Sequence, residues 1–145
     1  MSLVELYDRS LIGRRDRAAI EYDRPSGGTT TLTFGELDAR SNRLAHLLSA
    51  RGVQRGDRLG VFLINRIEVI DLWIACVKLG VMVLPINVLY KEREISHIVS
   101  DAEPRAVVTT AAQMTAFPAG VTCWDVDSLS AEAAAMPATR PHVAL

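Results

Sequence analysis

Cysteine is scarce in this sequence: Cys76 and Cys123 are the only two. They form neither a CxxC pair nor a metal-binding spacing, which excludes a disulfide scaffold and a zinc ribbon. Both sit in apolar runs, WIACVKL and VTCWDV, so reduced, packed thiols are expected. An excess of one charge is missing too. The 16 basic and 17 acidic residues are interspersed and leave a net charge of −1, which gives nucleic acid or anionic lipid nothing to grip. No apolar run is long enough to span a bilayer, because Arg66, Glu68, Asp71, Lys78 and Pro85 break the zone from Leu59 to Leu89. The opening MSLVELYDRS carries two acids and no continuous apolar stretch, so no signal peptide is expected and a cytoplasmic protein is. Neither GxGxxG nor GxxxxGK[ST] occurs.

What the sequence does hold is organised by residues 32–80. Thr33 and Glu36 have the spacing of a capping box, with Leu32 and Leu37 placed as its hydrophobic staple. Asn65 and Glu68 repeat that spacing, with Ile64 and Val69 as the staple pair. The two helices so started end on Gly52 and Gly80, residues that turn left-handed without steric cost. Between them, residues 58–63 form an apolar run after a Gly56-Asp57 turn, which suits a buried strand.

Around this unit the periodicities predict a leading helix over residues 2–11, with Leu3, Leu6, Tyr7, Ser10 and Leu11 at helical spacing. Residues 18–22 and 29–33 read as a hairpin around Asp23-Arg24-Pro25-Ser26-Gly27-Gly28. The helix from Phe34 places Leu37, Ser41, Leu44, Ala45 and Leu48 on one stripe, with Asp38, Arg40, Asn42, Arg43 and His46 elsewhere. The next helix is apolar on most sides and keeps only a narrow polar strip through Glu68, Asp71 and Lys78, so it should be buried on most sides. Residues 81–86 read as an interior parallel strand ending at Pro85. A helix over 91–102, strands at 105–109 and 121–126, and helix propensity at 128–136 complete the pattern. Strands alternating with helices imply an α/β domain: a mainly parallel sheet flanked by helices in three layers, with an early β-hairpin. At 145 residues the chain can bury roughly 70% of its unfolded surface. Residues 1–136 read as one α/β subdomain and 137–145 as a linker.

Few residues offer chemistry. Ser26, Gly27, Gly28, Thr29, Thr30 and Thr31 could turn backbone N–H groups toward a phosphate, but no lysine follows and a strand stands where a helix N-terminus is needed. A hairpin turn is the simpler reading. Asn65 and Asn87 follow strands, where parallel sheets bind ligands, yet capping and turn formation explain both. His97 and Asp101 share a helix face without a third metal ligand in reach, and His46 and His142 stand alone. The cluster Lys91-Glu92-Arg93-Glu94 reads as an exposed first turn, and Trp73 and Trp124 as core. No catalytic, cofactor-binding or metal-binding residue is assigned.

The order of the pieces nevertheless resembles the N-terminal portion of adenylate-forming (AMP-binding) acyl-CoA synthetases. The likeness rests on LTFGEL at 32–37, GVQRGD at 52–57 and KLGVMVLPIN at 78–87, and it runs from Ala18 to Thr109. Ile67 departs from it, standing where the family often has proline. The resemblance implies a ligase that joins a carboxylic acid to ATP as an acyl-adenylate, releases pyrophosphate and passes the acyl group to coenzyme A, in the manner of fatty acid metabolism. ATP, Mg²⁺ and CoA are implied for a full-length parent and none of them for these residues alone. The family's phosphate loop, ending in Pro-Lys-Gly, is expected just after the linker. The expectation is therefore an N-terminal scaffold, inactive by itself, that packs with the remainder of the ligase or self-associates through apolar surface. Two other readings stay open: a non-catalytic binding or scaffold module completed by a partner chain, and a small nucleotide-binding domain, against which the missing phosphate loop argues.

Overall fold

The computed structural model describes residues 1–142. Its elements run α1 (Leu3–Leu11), β1 (Ala18–Asp23), β2 (Thr29–Thr33), α2 (Phe34–Ala50), β3 (Arg58–Val61), α3 (Ile67–Leu79), β4 (Met82–Pro85), α4 (Glu92–Ala102), β5 (Ala106–Thr109), a 3₁₀ turn (Ala111–Ala116), β6 (Cys123–Asp125) and α5 (Val126–Ala133). Strands β1 and β2 pair as an antiparallel hairpin. The other four form a parallel sheet in the order β4–β3–β5–β6.

Local chemistry sets the helix ends. The Thr33 hydroxyl accepts from the Glu36 N–H at 3.1 Å, and the Glu36 carboxylate accepts from the Thr33 N–H at 2.7 Å. Ser2 and Glu5 build a second such box before α1. At their far ends α2 and α3 close alike. Gly52 and Gly80 lie at φ +83° and +67°, and the N–H of the buried valine after each reaches back to Leu48 and Cys76.

Three layers result. Leu59, Val61, Ala106 and Val108 turn from β3 and β5 toward α2, α3 and α5. Val107, with Phe62 and Ile86, packs on Ile95 and Val99 of α4 and on Phe117, whose ring meets Phe62 edge-on at 5.3 Å. Gly60 makes the second face possible: a Cβ there would lie 2.8 Å from Val107 Cγ2.

Several expectations are corrected. Strand β4 lies at the sheet edge rather than inside it, with Met82 48% exposed, and Pro85 is tolerated there because an edge strand has one unpaired side. Helix α1 forms as the spacing predicts; of the residues on that spacing Leu11 is buried and Tyr7 and Ser10 are half-buried, whereas Leu3 and Leu6 face solvent and Val4 takes the inward position. Helix α3 is capped at Arg66, not Asn65, and without a side-chain bond; Glu68 instead accepts from Arg66 Nε at 2.7 Å. The extended backbone of Arg66 postpones the helix by one residue. Helix α3 also leaves Ile70 and Trp73 exposed, Trp73 by 46%, so its apolar surface exceeds what this domain covers.

Candidate functional site

In an open parallel sheet the loops at the strands' carboxyl ends gather where the chain changes direction. Here the chain passes from β3 to β4 through α3 on one face, then to β5 through α4 on the other. The loops after β3 and β5 therefore diverge. Beside them a cavity of about 330 Å³ is lined by Phe62, Tyr90, Lys91, Ile95, Gln113 and Thr115, among others. The polar groups of this edge are mostly engaged in shaping it. Thr109 Oγ1 donates to the Phe62 carbonyl at 3.0 Å, fastening the ends of β5 and β3. Asn87 Oδ1 accepts from the Leu89 N–H, and Thr110 Oγ1 donates to Gln113 Oε1. The Asp125 carboxylate accepts from the N–H groups of Ser128 and Ala111; the Ser128 bonds above all hold it below the usual carboxylate range.

The second polar assembly is buried between α2 and α3. Lys78, 3% exposed, donates to Asn42 Oδ1 at 2.7 Å, to Asp38 Oδ1 and Ser41 Oγ at 2.8 Å, and to the Asp38 carbonyl at 3.2 Å. Arg15 Nη2 meets the other Asp38 oxygen at 3.1 Å. The Tyr7 ring covers the ammonium at 5.1 Å. Burial pushes the Lys78 pKa down, and its bond to Asp38 works against that shift. The Tyr7 hydroxyl is buried with no hydrogen-bond partner among the described residues. Burial and the Asp38 charge raise its pKa to about 12. Along the same interface Arg40 clasps Asp71 with Nε and Nη2; burial raises the Asp71 pKa, and the Arg40 bond opposes it. The two helices thus carry charges of alternating sign, Asp38 and Arg40 against Lys78 and Asp71. Lys78 of α3 ties four oxygens of α2 to one ammonium, a link that would leave buried acceptors unpaired if it were broken.

The residues singled out in the sequence lie apart from one another. Residues 24–28 close the hairpin, with the Arg24 N–H bonded to the Gly28 carbonyl at 2.9 Å. Asn65 is exposed, and its carbonyl faces the Tyr22 hydroxyl at 3.5 Å. His97 and Asp101 are exposed on α4. His46 Nε2 lies 2.8 Å from the Thr139 carbonyl, and His142 is exposed. The Lys91–Glu94 turn is exposed, and the Glu94 carboxylate accepts from the Lys91 N–H. Trp124 is partly buried under Arg51, whereas Trp73 is on the surface and not in the core. Cys76 is buried, which lifts its thiol to about 12; Cys123 is half-buried, and both are free. In the sequence Asp38 and Asn42 lie off the apolar stripe of α2, and Asp71 and Lys78 lie on the polar strip of α3; burial of all four corrects a solvated reading. Their signal was the i, i+3, i+4 polar set Asp38, Ser41 and Asn42 on one helix, opposite a lone polar strip on the next.

The AMP-binding enzyme family matches residues 8–143. A long-chain-fatty-acid–CoA ligase of Mycobacterium tuberculosis, FadD13, is 32% identical over 95% of this chain and 29% of its own. A medium/long-chain-fatty-acid–CoA/3-oxocholest-4-en-26-oate–CoA ligase of Mycolicibacterium smegmatis is 31% identical over 74% of this chain and 19% of its own. The chain therefore spans less than a third of the length of either relative. Among solved structures, the O-succinylbenzoate coenzyme A synthetase MenE of Bacillus subtilis, in complex with AMP, superimposes with a TM-score of 0.78 at 28% identity, over 87% of this chain and 32% of that one. The N-terminal subdomain of Klebsiella oxytoca NpsA shares the fold, with a TM-score of 0.81 at 21% identity, over 97% of this chain and 34% of its own. By sequence and by fold, this chain belongs to the AMP-binding enzyme family, and its α/β architecture is that of the family's N-terminal subdomain.

Proposed function

We propose that these residues are the N-terminal scaffold of an acyl-CoA ligase, an enzyme that activates a carboxylic acid as its acyl-adenylate and transfers it to coenzyme A. The observation that carries this reading is the alignment with a long-chain-fatty-acid–CoA ligase over 95% of the chain. The chemistry requires that a carboxylate oxygen leave as AMP before a thiol can attack, so phosphate charge must be neutralised at the reacting centre.

On this reading the reacting centre lies in segments outside the described residues. The described residues themselves contain no cluster of three His, Cys, Asp or Glu side chains able to hold a metal ion. The hydroxyl- and glycine-rich run at 26–31 is a hairpin turn joined to strand β2, not a loop at a helix start. On this reading the steps with ATP, Mg²⁺ and CoA belong to residues other than those of this chain. Its part is to hold β3, β5 and their carboxyl-end loops in place for segments that carry the reacting groups. The exposed Ile70 and Trp73 of α3 and the open β4 edge supply apolar and backbone surface for the remainder of the ligase. Free cysteines and the absence, among the described residues, of a helix long and apolar enough to cross a membrane fit a cytoplasmic enzyme.

The test is thioester formation by the product of the complete reading frame, assayed with ATP, Mg²⁺, CoA and carboxylic acids of increasing chain length. ATP-dependent acyl-CoA formation with any member supports the reading. An acid-independent ATPase, or no turnover across the series by a folded protein, overturns it.

A further inference from the structure

The residues after α5 do not leave the domain at once. Asn42 Nδ2 donates to the Ala138 carbonyl at 2.8 Å, and His46 Nε2 bonds the Thr139 carbonyl at 2.8 Å. Arg140 pairs with Asp8 of α1, and Pro141 is buried. Asn42 and His46 are one helical turn apart on α2, so they grip consecutive carbonyls from a single ridge. Asn42 is itself 4% exposed and fixed from the other side, because its Oδ1 accepts from Lys78 Nζ. Its amide cannot rotate without losing both bonds, since exchanging O and N would turn the NH₂ toward the ammonium.

We propose that residues 138–141 are a docked strap and that Asn42 is the positioning residue holding it, its orientation set by the buried ammonium of Lys78. The interior of the α2–α3 interface is thereby coupled to the course of the residues that follow α5. On the ligase reading above, on which this consequence alone rests, the strap sets where the following segment begins relative to the carboxyl edge of the sheet.

The experiment is limited digestion of the protein with proteinase K, with cleavage sites read by mass spectrometry and fold checked by circular dichroism. Asn42→Asp keeps an acceptor for Lys78 but replaces the donor facing Ala138 with a second acceptor. Losing one hydrogen bond should raise the open population about fivefold, and cleavage within 137–142 with it, while other sites are unchanged. If Asn42→Asp unfolds, His46→Ala serves: His46 is not buried, and its loss removes only the Thr139 bond. The proposal is overturned if the wild-type strap is cut as fast as an unstructured peptide of the same sequence, or if a folded variant is cut no faster than wild type. Failure of the ligase reading would leave these cleavage rates untouched, so the two outcomes are separable.

Discussion

Replacing Lys78 by methionine tests whether the α2–α3 interface is held by its buried ion pair. The methionine keeps most of the aliphatic stem under the Tyr7 ring and removes only the ammonium. Four oxygens, two of Asp38 and one each of Ser41 and Asn42, then lose a donor they cannot replace from solvent. Breaking a buried pair from one side typically costs about 3–5 kcal/mol. Asp38 keeps Arg15 at 3.1 Å, on its more exposed side, so the lower end, about 3 kcal/mol, is expected. For a domain of this size that is a fall in Tm of about 6–12 °C. Urea unfolding at micromolar protein concentration reads the same loss through the midpoint at constant m. Adding Asp38→Leu to Lys78→Met should recover part of it, because no charge is then left buried alone. A single variant that loses less than about 1 kcal/mol would refute the reasoning, since the network would then be solvated in a way its burial denies.

Three further outcomes follow from other residues. Tyr7→Phe removes a buried hydroxyl without a partner, so stability at neutral pH should be unchanged or higher. Because the folded-state pKa of Tyr7 is raised from 10.0 to about 12, its contribution is present below pH 10 and lost as pH rises toward 12; Tyr7→Phe should flatten that part of the stability profile, and an unchanged profile would contradict the burial. Gly60→Ala places a Cβ 2.8 Å from Val107 Cγ2 between two adjacent strands and should cost about 1–3 kcal/mol in chemical unfolding, whereas a neutral result would mean that β3 and β5 part easily. The exposed Ile70 and Trp73 should drive self-association of the isolated chain, seen as a concentration-dependent mass in light scattering and reduced by Trp73→Lys; a clean monomer at high concentration would argue that this face needs no cover.

Most of the architecture was legible because its signals are local. The Thr33–Glu36 box, the glycines closing α2 and α3 and the turn at Gly56 act within a few residues, and the structure keeps each of them. What failed depends on neighbours distant in sequence. A near-continuous apolar run reads as interior, but β4 is at an edge because the chain leaving it crosses back over β3 and places β5 on the far side. The polar residues of α2 and α3 read as solvated because each helix alone gives no sign that the other presents the opposite charge at the same height. The Arg66 start of α3 was hidden for a smaller reason: Glu68 found a guanidinium two residues back and left the cap unused. The family resemblance, built on three short motifs, extended further than the motifs did, to residues 8–143.

The most direct measurement of the central claim is ATP–pyrophosphate exchange, run in parallel on the isolated 145-residue chain and on the product of the complete reading frame with a carboxylic acid it accepts. On the proposed reading, the expected result is background exchange for these residues alone and acid-dependent exchange for a ligase that contains them. Substantial exchange by the pure chain, or none by a folded full-length product across the acid series, would contradict the assignment of these residues as the scaffold of an adenylate-forming ligase.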